Sequence, residues 1–200
     1  TDKLKEYFND IATVRDVWKK KNSYYHNQIE KLFKFLIPSG KRVLEIGCGT
    51  GDLLVSVKPK YGVGVDISRN MLDIAKKKYH KLNFKEGDGG NLNINETFDY
   101  IILSDVIGNF EDVQKAFDEL HKVANSKTKI IISSHNFLWE PLLSIAEKIG
   151  LKMAQPLQNW LTSRDITNLL FLSNLEIVKK GSIILLPVDI PLVSSFVNKI

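Results

Sequence analysis

Cysteine is almost absent from the sequence: the 200 residues include only Cys48. A single cysteine cannot form a disulfide within the chain, and it cannot supply a cysteine-based metal cluster. Disulfide scaffolds and metal-thiolate domains are therefore excluded. A chain without internal disulfides is typical of the reducing cytoplasm, where we expect this protein.

Long uninterrupted apolar runs are absent as well. The longest apolar stretch, residues 183–193, is broken by Pro187, Asp189 and Pro191. A membrane span needs roughly 20 consecutive apolar residues. The amino end mixes Lys3 and Lys5 among its apolar residues, which is unlike a signal peptide. We expect a soluble protein with no membrane span.

Charge of one sign is only in modest excess, with 28 Lys and Arg against 23 Asp and Glu, a net charge of +5. The lysines are scattered, and short clusters at residues 19–21 and 76–78 are typical of solvated helix faces or ends. No basic stripe favours nucleic acid, and we expect no stable nucleic-acid partner. A hydrophobic content of 44% is enough for one core, so residues 1–200 are predicted to form a single domain.

From Arg42 onward, short apolar runs alternate with amphipathic stretches. This pattern predicts an α/β fold with a doubly wound, mostly parallel sheet. Residues 1–40 are predicted to be helical, because Ile29 and Phe33 begin an apolar stripe at helical spacing before the core at 41–200. Residues 175–186, with Gly181 and Ser182 at their centre, predict a hairpin that ends the sheet with an antiparallel strand. The predicted strands cover residues 42–46, 61–66, 82–86, 98–104 and 128–134, and the predicted helices cover 52–56, 68–78, 112–122, 142–149 and 164–171.

A glycine-rich loop follows the first predicted strand and reads Glu45-Ile46-Gly47-Cys48-Gly49-Thr50-Gly51. Such sheets bind ligands at the carboxyl ends of their central strands, and glycines let the backbone approach a ligand closely. The Gly-x-Gly-x-Gly spacing after an acid favours S-adenosylmethionine over a dinucleotide. A strand-to-helix turn without a ligand is the alternative.

Two acids follow the next two predicted strands. Asp66, followed by Ile67, lies about 20 residues after the loop, where a carboxylate can accept both hydroxyls of a ribose. NAD enzymes place an acid likewise, and a helix N-cap is the structural alternative. Asp88, followed by Gly89, could accept a hydrogen bond from the exocyclic amine of adenine, or it could be an ordinary turn aspartate.

Together, the loop at 45–51, Asp66, Asp88 and the strand at 98–104 resemble the class I S-adenosylmethionine-dependent methyltransferases in order and spacing. The resemblance covers nearly the whole chain. It implies a Rossmann-like fold whose sheet has seven strands, the last one antiparallel. It also implies S-adenosylmethionine as cofactor and S-adenosylhomocysteine as product. The implied cofactor-binding residues are Glu45, Gly47, Cys48, Gly49, Gly51, Asp66, Ile67, Asp88, Gly89, Ser104 and Tyr25.

Further segments, among them Asn22-Ser23-Tyr24-Tyr25-His26 and Ser104-Asp105-Val106-Ile107-Gly108, resemble a bacterial and archaeal subgroup. Some members of this subgroup carry a glycosyltransferase domain downstream. The resemblance implies a small-molecule or glycan-related acceptor and a downstream glycosyltransferase domain or partner.

Two catalytic candidates follow the fourth and fifth predicted strands, Asp105 and His135. Both fall at the sheet edge where an acceptor would lie, and His135 is the better general base, although it could equally satisfy loop backbone. The segment after Ser104 lacks the paired prolines of methyltransferases that act on the exocyclic amines of bases, which argues against that activity. Cytosine C5 methyltransferases need a cysteine nucleophile near the fourth strand, whereas Cys48 lies in the glycine loop, so no covalent mechanism is implied.

Aromatic and polar residues flank the predicted core on both sides. Tyr24, Tyr25 and His26 are expected in a helical lid over the site, or they pack structurally. Asn159, Trp160 and Arg164 belong either to the acceptor side or to the start of a helix.

The sequence therefore predicts a methyltransferase for a small-molecule or glycan-related acceptor. Three alternatives stay open. The first is a non-catalytic S-adenosylmethionine-binding module that partners a glycosyltransferase. The second is a nicotinamide-dependent oxidoreductase, and the third is a nucleic-acid methyltransferase.

Overall fold

A computed structural model describes residues 2–135, 140–148, 150, 153 and 159–182. Five strands form its sheet: β1 (Arg42–Ile46), β2 (Tyr61–Asp66), β3 (Asn83–Glu86), β4 (Tyr100–Ser104) and β5 (Lys129–Ser133). The helices are α1 (Asp2–Lys21), α2 (Ser23–Leu36), α3 (Asp52–Ser56), α4 (Arg69–Lys78), α5 (Val113–Glu119), α6 (Glu140–Lys148) and α7 (Ser163–Leu172). Short 3₁₀ turns cover Ile107–Asn109 and Leu120–Lys122.

The five strands are all parallel and lie in the order β3-β2-β1-β4-β5. β2 and β3 extend the sheet on one side of β1, and β4 and β5 extend it on the other side. This reversal between β1 and β4 opens a crevice at the carboxyl ends of the two strands, which is where doubly wound sheets bind ligands.

The sheet is buried on both faces, because helices and loops cover each side. Leu44 and Ile46 of β1 face one apolar cluster, with Phe117 of α5 fully buried in it. Val43 faces the other cluster, with Phe33 of α2. Double-sided burial explains why β4 is a nearly continuous apolar run in the sequence.

The predicted elements agree with the structure to within about two residues at most ends, as expected of helix and strand limits. Ser68 caps α4 as predicted, since its hydroxyl accepts the Met71 N–H at 3.2 Å. Asp112 likewise caps α5, whose predicted extent to residue 122 continues as a 3₁₀ turn. The helical region predicted at residues 1–40 consists of two helices, α1 and α2.

The predicted hairpin is wrong for the part that the structure describes. Residues 175–182 form no strand, and residues 183–186 lie outside the described residues. The Leu175 N–H donates to Leu170 O and so ends α7, while Val178 is 93% exposed and no described strand covers it. The described sheet thus has five parallel strands, where seven with an antiparallel last strand were expected.

Among the described helices, none is both long enough and apolar enough to cross a bilayer.

Candidate active site

A cleft lies at the carboxyl edge of the sheet, between the β1 and β4 ends and the two amino-terminal helices. The sheet side of the cleft carries most of the residues predicted from the sequence. The helix side adds aromatic and basic side chains. The lining includes Glu45, Gly47, Gly49, Asp66, Ile67, Asp88, Gly89, Ser104, Asp105 and His135 from the core, and Phe8, Arg15, Trp18, Tyr25 and His26 from α1 and α2.

The glycine loop contributes space to this cleft. Its N–H groups are used inside the protein: those of Gly47 and Cys48 donate to Val65 O at 2.8 and 3.0 Å, and that of Gly49 donates to Asp66 Oδ2 at 2.7 Å. Gly49 has a φ of +52°, and a Cβ built there would meet no protein atom within 4 Å. The loop therefore leaves an open cradle that any side chain at Gly49 would begin to fill.

Asp66 ties this loop to the start of α4. Its Oδ2 accepts the Gly49 N–H, and its Oδ1 accepts the Ser68 N–H at 2.9 Å. Burial raises the pKa of Asp66, and these backbone donors oppose the rise. The cap of α4 is Ser68, so the N-cap interpretation of Asp66 is wrong. The Ile67 N–H also faces this carboxylate, so of its four lone pairs at least one is left for a ligand hydroxyl.

Glu45 is the most deeply buried carboxyl group of the site, at 3% exposed. Its Oε2 has no hydrogen-bond partner among the described residues. Burial raises the pKa of Glu45 to about 8, and the Asp52 and Asp66 charges add to the rise, whereas Lys19 and the Leu54 N–H oppose it. With this pKa the Glu45 carboxyl keeps its proton at neutral pH. A ligand ammonium group beside it would favour the ionised form and supply the donor that Oε2 lacks.

Asp88 stands in a turn beside the same cleft. Its Oδ1 accepts the Gly90 N–H at 2.9 Å, and its carbonyl accepts the Asn91 N–H at 3.0 Å. Asp88 thus stands in a turn. Asp88 and Gly89 also line the cleft, so the role of Asp88 in adenine binding stays a prediction.

At the ends of β4 and β5, three predicted residues come together. The Tyr25 hydroxyl donates to Asp105 Oδ2 at 2.6 Å, and the Tyr25 ring stacks on His135 with 5.3 Å between ring centroids. The other oxygen of Asp105 accepts the Ser133 hydroxyl at 3.0 Å. Asp105 holds a left-handed backbone with φ of +53°, which costs about 1 kcal/mol in an L-residue and recurs at functional sites.

Tyr25 and its neighbour His26 keep fixed protonation states near neutral pH. Burial first, and then the charge and hydrogen bond of Asp105, raise the pKa of Tyr25 well above its usual value, so its hydroxyl keeps its proton. Burial, Lys19 and Arg15 lower the pKa of His26 to about 4, so its imidazole is neutral.

A polar network that was not predicted from the sequence fixes α1 to the core. The centre of this network is Asp52, whose carboxylate accepts from Lys19 of α1, from Lys78 of α4 and from the Tyr79 hydroxyl. Burial opposes ionisation, but the Lys19 charge and these hydrogen bonds hold the pKa of Asp52 below its usual range. Asn9 adds a second link, since its Oδ1 accepts the Ser68 hydroxyl at 2.8 Å.

The residues predicted after the fifth strand have structural roles where they are described. The Asn159 amide donates to Phe110 O at 2.9 Å, and its N–H donates to Gly108 O at 2.8 Å. Arg164 is exposed in the first turn of α7, which a capping box of Thr162 and Asp165 begins. Trp160 shares a small cavity with Asp105 and His135. Over the described ranges, no group of three or more His, Cys, Asp or Glu side chains could hold a metal.

The family model of the methyltransferase domain matches residues 17–180 of the chain. A demethylmenaquinone methyltransferase of Staphylococcus saprophyticus is 28% identical over 130 residues, which is 60% of this chain and 56% of that protein. An uncharacterized protein of Methanocaldococcus jannaschii is 36% identical over 126 residues, 62% of this chain and 59% of that protein. The chain therefore spans a little over half the length of these two relatives.

A longer alignment joins the chain to a 2-phytyl-1,4-naphtoquinone methyltransferase of Nostoc punctiforme, at 28% identity over 177 residues, 80% of this chain and 77% of that protein. None of these three relatives is named as a glycosyltransferase, so the expected link to a glycosyltransferase domain finds no support in them.

Solved structures share the fold. A possible histamine N-methyltransferase of Thermotoga maritima aligns with a TM-score of 0.72 at 22% identity, over 87% of this chain and 82% of that one. The magnesium protoporphyrin IX methyltransferase of Synechocystis PCC 6803, solved with bound S-adenosylhomocysteine, aligns with a TM-score of 0.66 at 21% identity, over 89% of this chain and 90% of that one.

Proposed function

Since the chain belongs to the methyltransferase domain family, with S-adenosylmethionine as its cofactor, we propose that it methylates a small-molecule acceptor held beside Tyr25, Asp105 and His135. One observation carries this proposal: this cluster and the cofactor candidates other than Cys48 and Gly51 line the same cleft. A methyl donor at the glycine loop and an acceptor at the β4 and β5 ends would thus lie in one cleft.

The residues on the sheet side fit the cofactor. The unpartnered Oε2 of Glu45 suits an ammonium group, the open space at Gly49 suits the chain that carries it, and Asp66 has at least one lone pair left for a ribose hydroxyl. Asp88 and Gly89 would take the adenine edge. When bound, S-adenosylmethionine supplies a methyl group that its sulfonium has already activated.

With an activated methyl group, the chain mainly has to align the acceptor and exclude water. Well-oriented reacting groups can contribute roughly 7–11 kcal/mol to lowering a barrier. Trp18 and Tyr25 lie on the helix side of the cleft, where they would shield the methyl donor from water and favour its positive charge. This role makes α1 and α2 a lid, which is part of the proposal.

We assign His135 as the general-base candidate for an acceptor that must lose a proton. Asp105 is the weaker base, because both of its oxygens already accept hydrogen bonds from Tyr25 and Ser133. An acceptor with a free lone pair at neutral pH would need no base at all.

A small aromatic compound is the acceptor class best supported. Aromatic side chains, Phe8, Trp18 and Tyr25 among them, line the cleft, and two relatives are named for a demethylmenaquinone and a naphthoquinone. A glycan-related acceptor rests on the sequence resemblance alone.

Methyl transfer can be tested with methyl-labelled S-adenosylmethionine and an extract of small metabolites. We expect label in an aromatic product, and we expect His135→Ala to slow its formation more than His80→Ala, an exposed histidine on the surface. Binding of the cofactor with no label in any product would favour the non-catalytic binding module instead.

A further inference from the structure

The carboxylate of Asp105 determines where two neighbouring hydroxyl groups point their protons. An ionised carboxylate only accepts hydrogen bonds, and a hydroxyl has one proton to donate. Tyr25 donates to Oδ2 at 2.6 Å, and Ser133 donates to Oδ1 at 3.0 Å. Both protons are therefore committed to Asp105.

The same constraint extends to Ser104. The Ser104 and Ser133 hydroxyl oxygens are 3.1 Å apart, a hydrogen bond in which either could be the donor. Because Ser133 has already given its proton to Asp105, Ser104 has to be the donor. The hydroxyls of Tyr25, Ser104 and Ser133 are thus left with lone pairs only.

Tyr25, Ser104, Asp105 and Ser133 all line the cleft, so this hydrogen-bonded group forms part of its wall. Their arrangement is held in place at its centre: the Asp105 N–H donates to Ser133 O at 3.0 Å, with the backbone of Asp105 in the left-handed region. The raised pKa of Tyr25 keeps its proton on the hydroxyl. The ligand therefore meets a wall that accepts hydrogen bonds.

We propose that Asp105 is a positioning residue that makes this wall an array of hydrogen-bond acceptors, so that the site selects methyl acceptors carrying an N–H or O–H donor. This inference rests on the proposed function and narrows its substrate class to amines and hydroxyl compounds. A compound that offers only ether or carbonyl oxygens would place its lone pairs against those of the wall and leave buried polar groups unpaired.

The test compares phenol with anisole, which has a methoxy group in place of the hydroxyl, on the full chain saturated with S-adenosylhomocysteine. Dissociation constants from NMR titration should favour phenol by about tenfold, since leaving a buried partner unpaired costs a factor of about 5 to 150. Asp105→Asn keeps the shape and tolerates the left-handed backbone. Its amide can donate to Tyr25 or Ser133, which turns a hydroxyl proton toward the ligand, so the preference for phenol should fall to about twofold or less.

Two further variants control this comparison. Asp118→Asn makes the same change at an exposed aspartate and should keep the preference. Ser133→Ala releases the Ser104 proton to the ligand, so anisole should gain relative to phenol even if Asp105→Asn fails to fold.

Calorimetry with S-adenosylhomocysteine comes first and separates the two claims. Absence of binding by the wild-type chain would count against the proposed function. Binding of S-adenosylhomocysteine with equal affinity for phenol and anisole, or with affinity for neither, would overturn the inference alone. An unchanged preference in both Asp105→Asn and Ser133→Ala would overturn it too.

Discussion

Replacing Glu45 with glutamine should remove a pH-dependent loss of stability from the cofactor-free protein. Glu45 is 3% exposed, and burial raises its pKa from 4.5 to about 8. An acid with a raised pKa in the folded state contributes stability that is fully present below its unfolded pKa and is lost as the pH rises through its folded pKa. The loss attributable to Glu45 should therefore begin above pH 4.5 and end just above pH 8.

The size of the effect follows from the two pKa values. One pKa unit corresponds to about 1.4 kcal/mol, so a change from 4.5 to about 8 corresponds to about 5 kcal/mol in the free energy of unfolding. Asp52 and Asp66 raise the cost of ionising Glu45, and Lys19 and the Leu54 N–H lower it. Glutamine has nearly the same volume and no charge, so it retains the packing and removes the titration.

Urea unfolding at several pH values between 5.5 and 8.5 measures this directly. His26 acts in the opposite direction, because its pKa is lowered from 6.5 to about 4 and its contribution grows as the pH rises from about 4 to just above 6.5. That contribution cancels in the difference between wild type and Glu45→Gln, which should change by about 1.4 kcal/mol per pH unit below pH 8. Glu176→Gln, at an exposed site, serves as the control. Parallel curves for wild type and Glu45→Gln would refute the reasoning.

Three further outcomes follow from the cleft. Asp66→Asn should weaken S-adenosylhomocysteine binding by roughly 1.5–3 kcal/mol in calorimetry, the usual range for hydrogen bonds to a charged group, and normal affinity with a much lower melting temperature would leave Asp66 only a structural role. Gly49→Ala should bind S-adenosylhomocysteine more weakly. Gly40 has a similar positive φ and equally open surroundings but lies outside the cleft, so Gly40→Ala should lose only about 1 kcal/mol of stability. Equal affinity of the two variants for S-adenosylhomocysteine would show that Gly49 leaves no space for the cofactor. Hydrogen exchange over residues 16–28 should slow when S-adenosylhomocysteine binds, and unchanged exchange would argue against the lid.

The sheet was predictable because each strand can be identified from its own short stretch of sequence, without knowledge of its neighbours. β1 and β2 are short apolar runs with β-branched residues, and both match the predicted limits. The glycine loop and Asp66 were predictable for a related reason, since a central parallel strand in this topology must end at the ligand crevice. Position in the chain was enough to place these residues in one cleft.

The contacts that complete the site were not predictable in this way. Tyr25 and Asp105 are 80 residues apart, and their hydrogen bond depends on how α2 lies across the sheet edge. The Lys19 to Asp52 ion pair spans 33 residues and likewise has no local pattern. Ser133 gave no signal at all, because a lone serine at a strand end is ordinary until its partner is known. The hairpin predicted at residues 175–182 was wrong because β-branched residues around a glycine give the same sequence pattern whether or not a neighbouring strand pairs with them.

The most direct test of the account is isothermal titration calorimetry of the wild-type chain with S-adenosylhomocysteine, S-adenosylmethionine and NAD. We expect both sulfur ligands to bind with dissociation constants in the range of about 1–100 μM, equivalent to about 5–8 kcal/mol. NAD should show no comparable binding, because the cleft offers the open space at Gly49 and the unpartnered Glu45 oxygen to a short amino-acid chain. Tight binding of NAD with no response to either sulfur ligand would contradict the central claim.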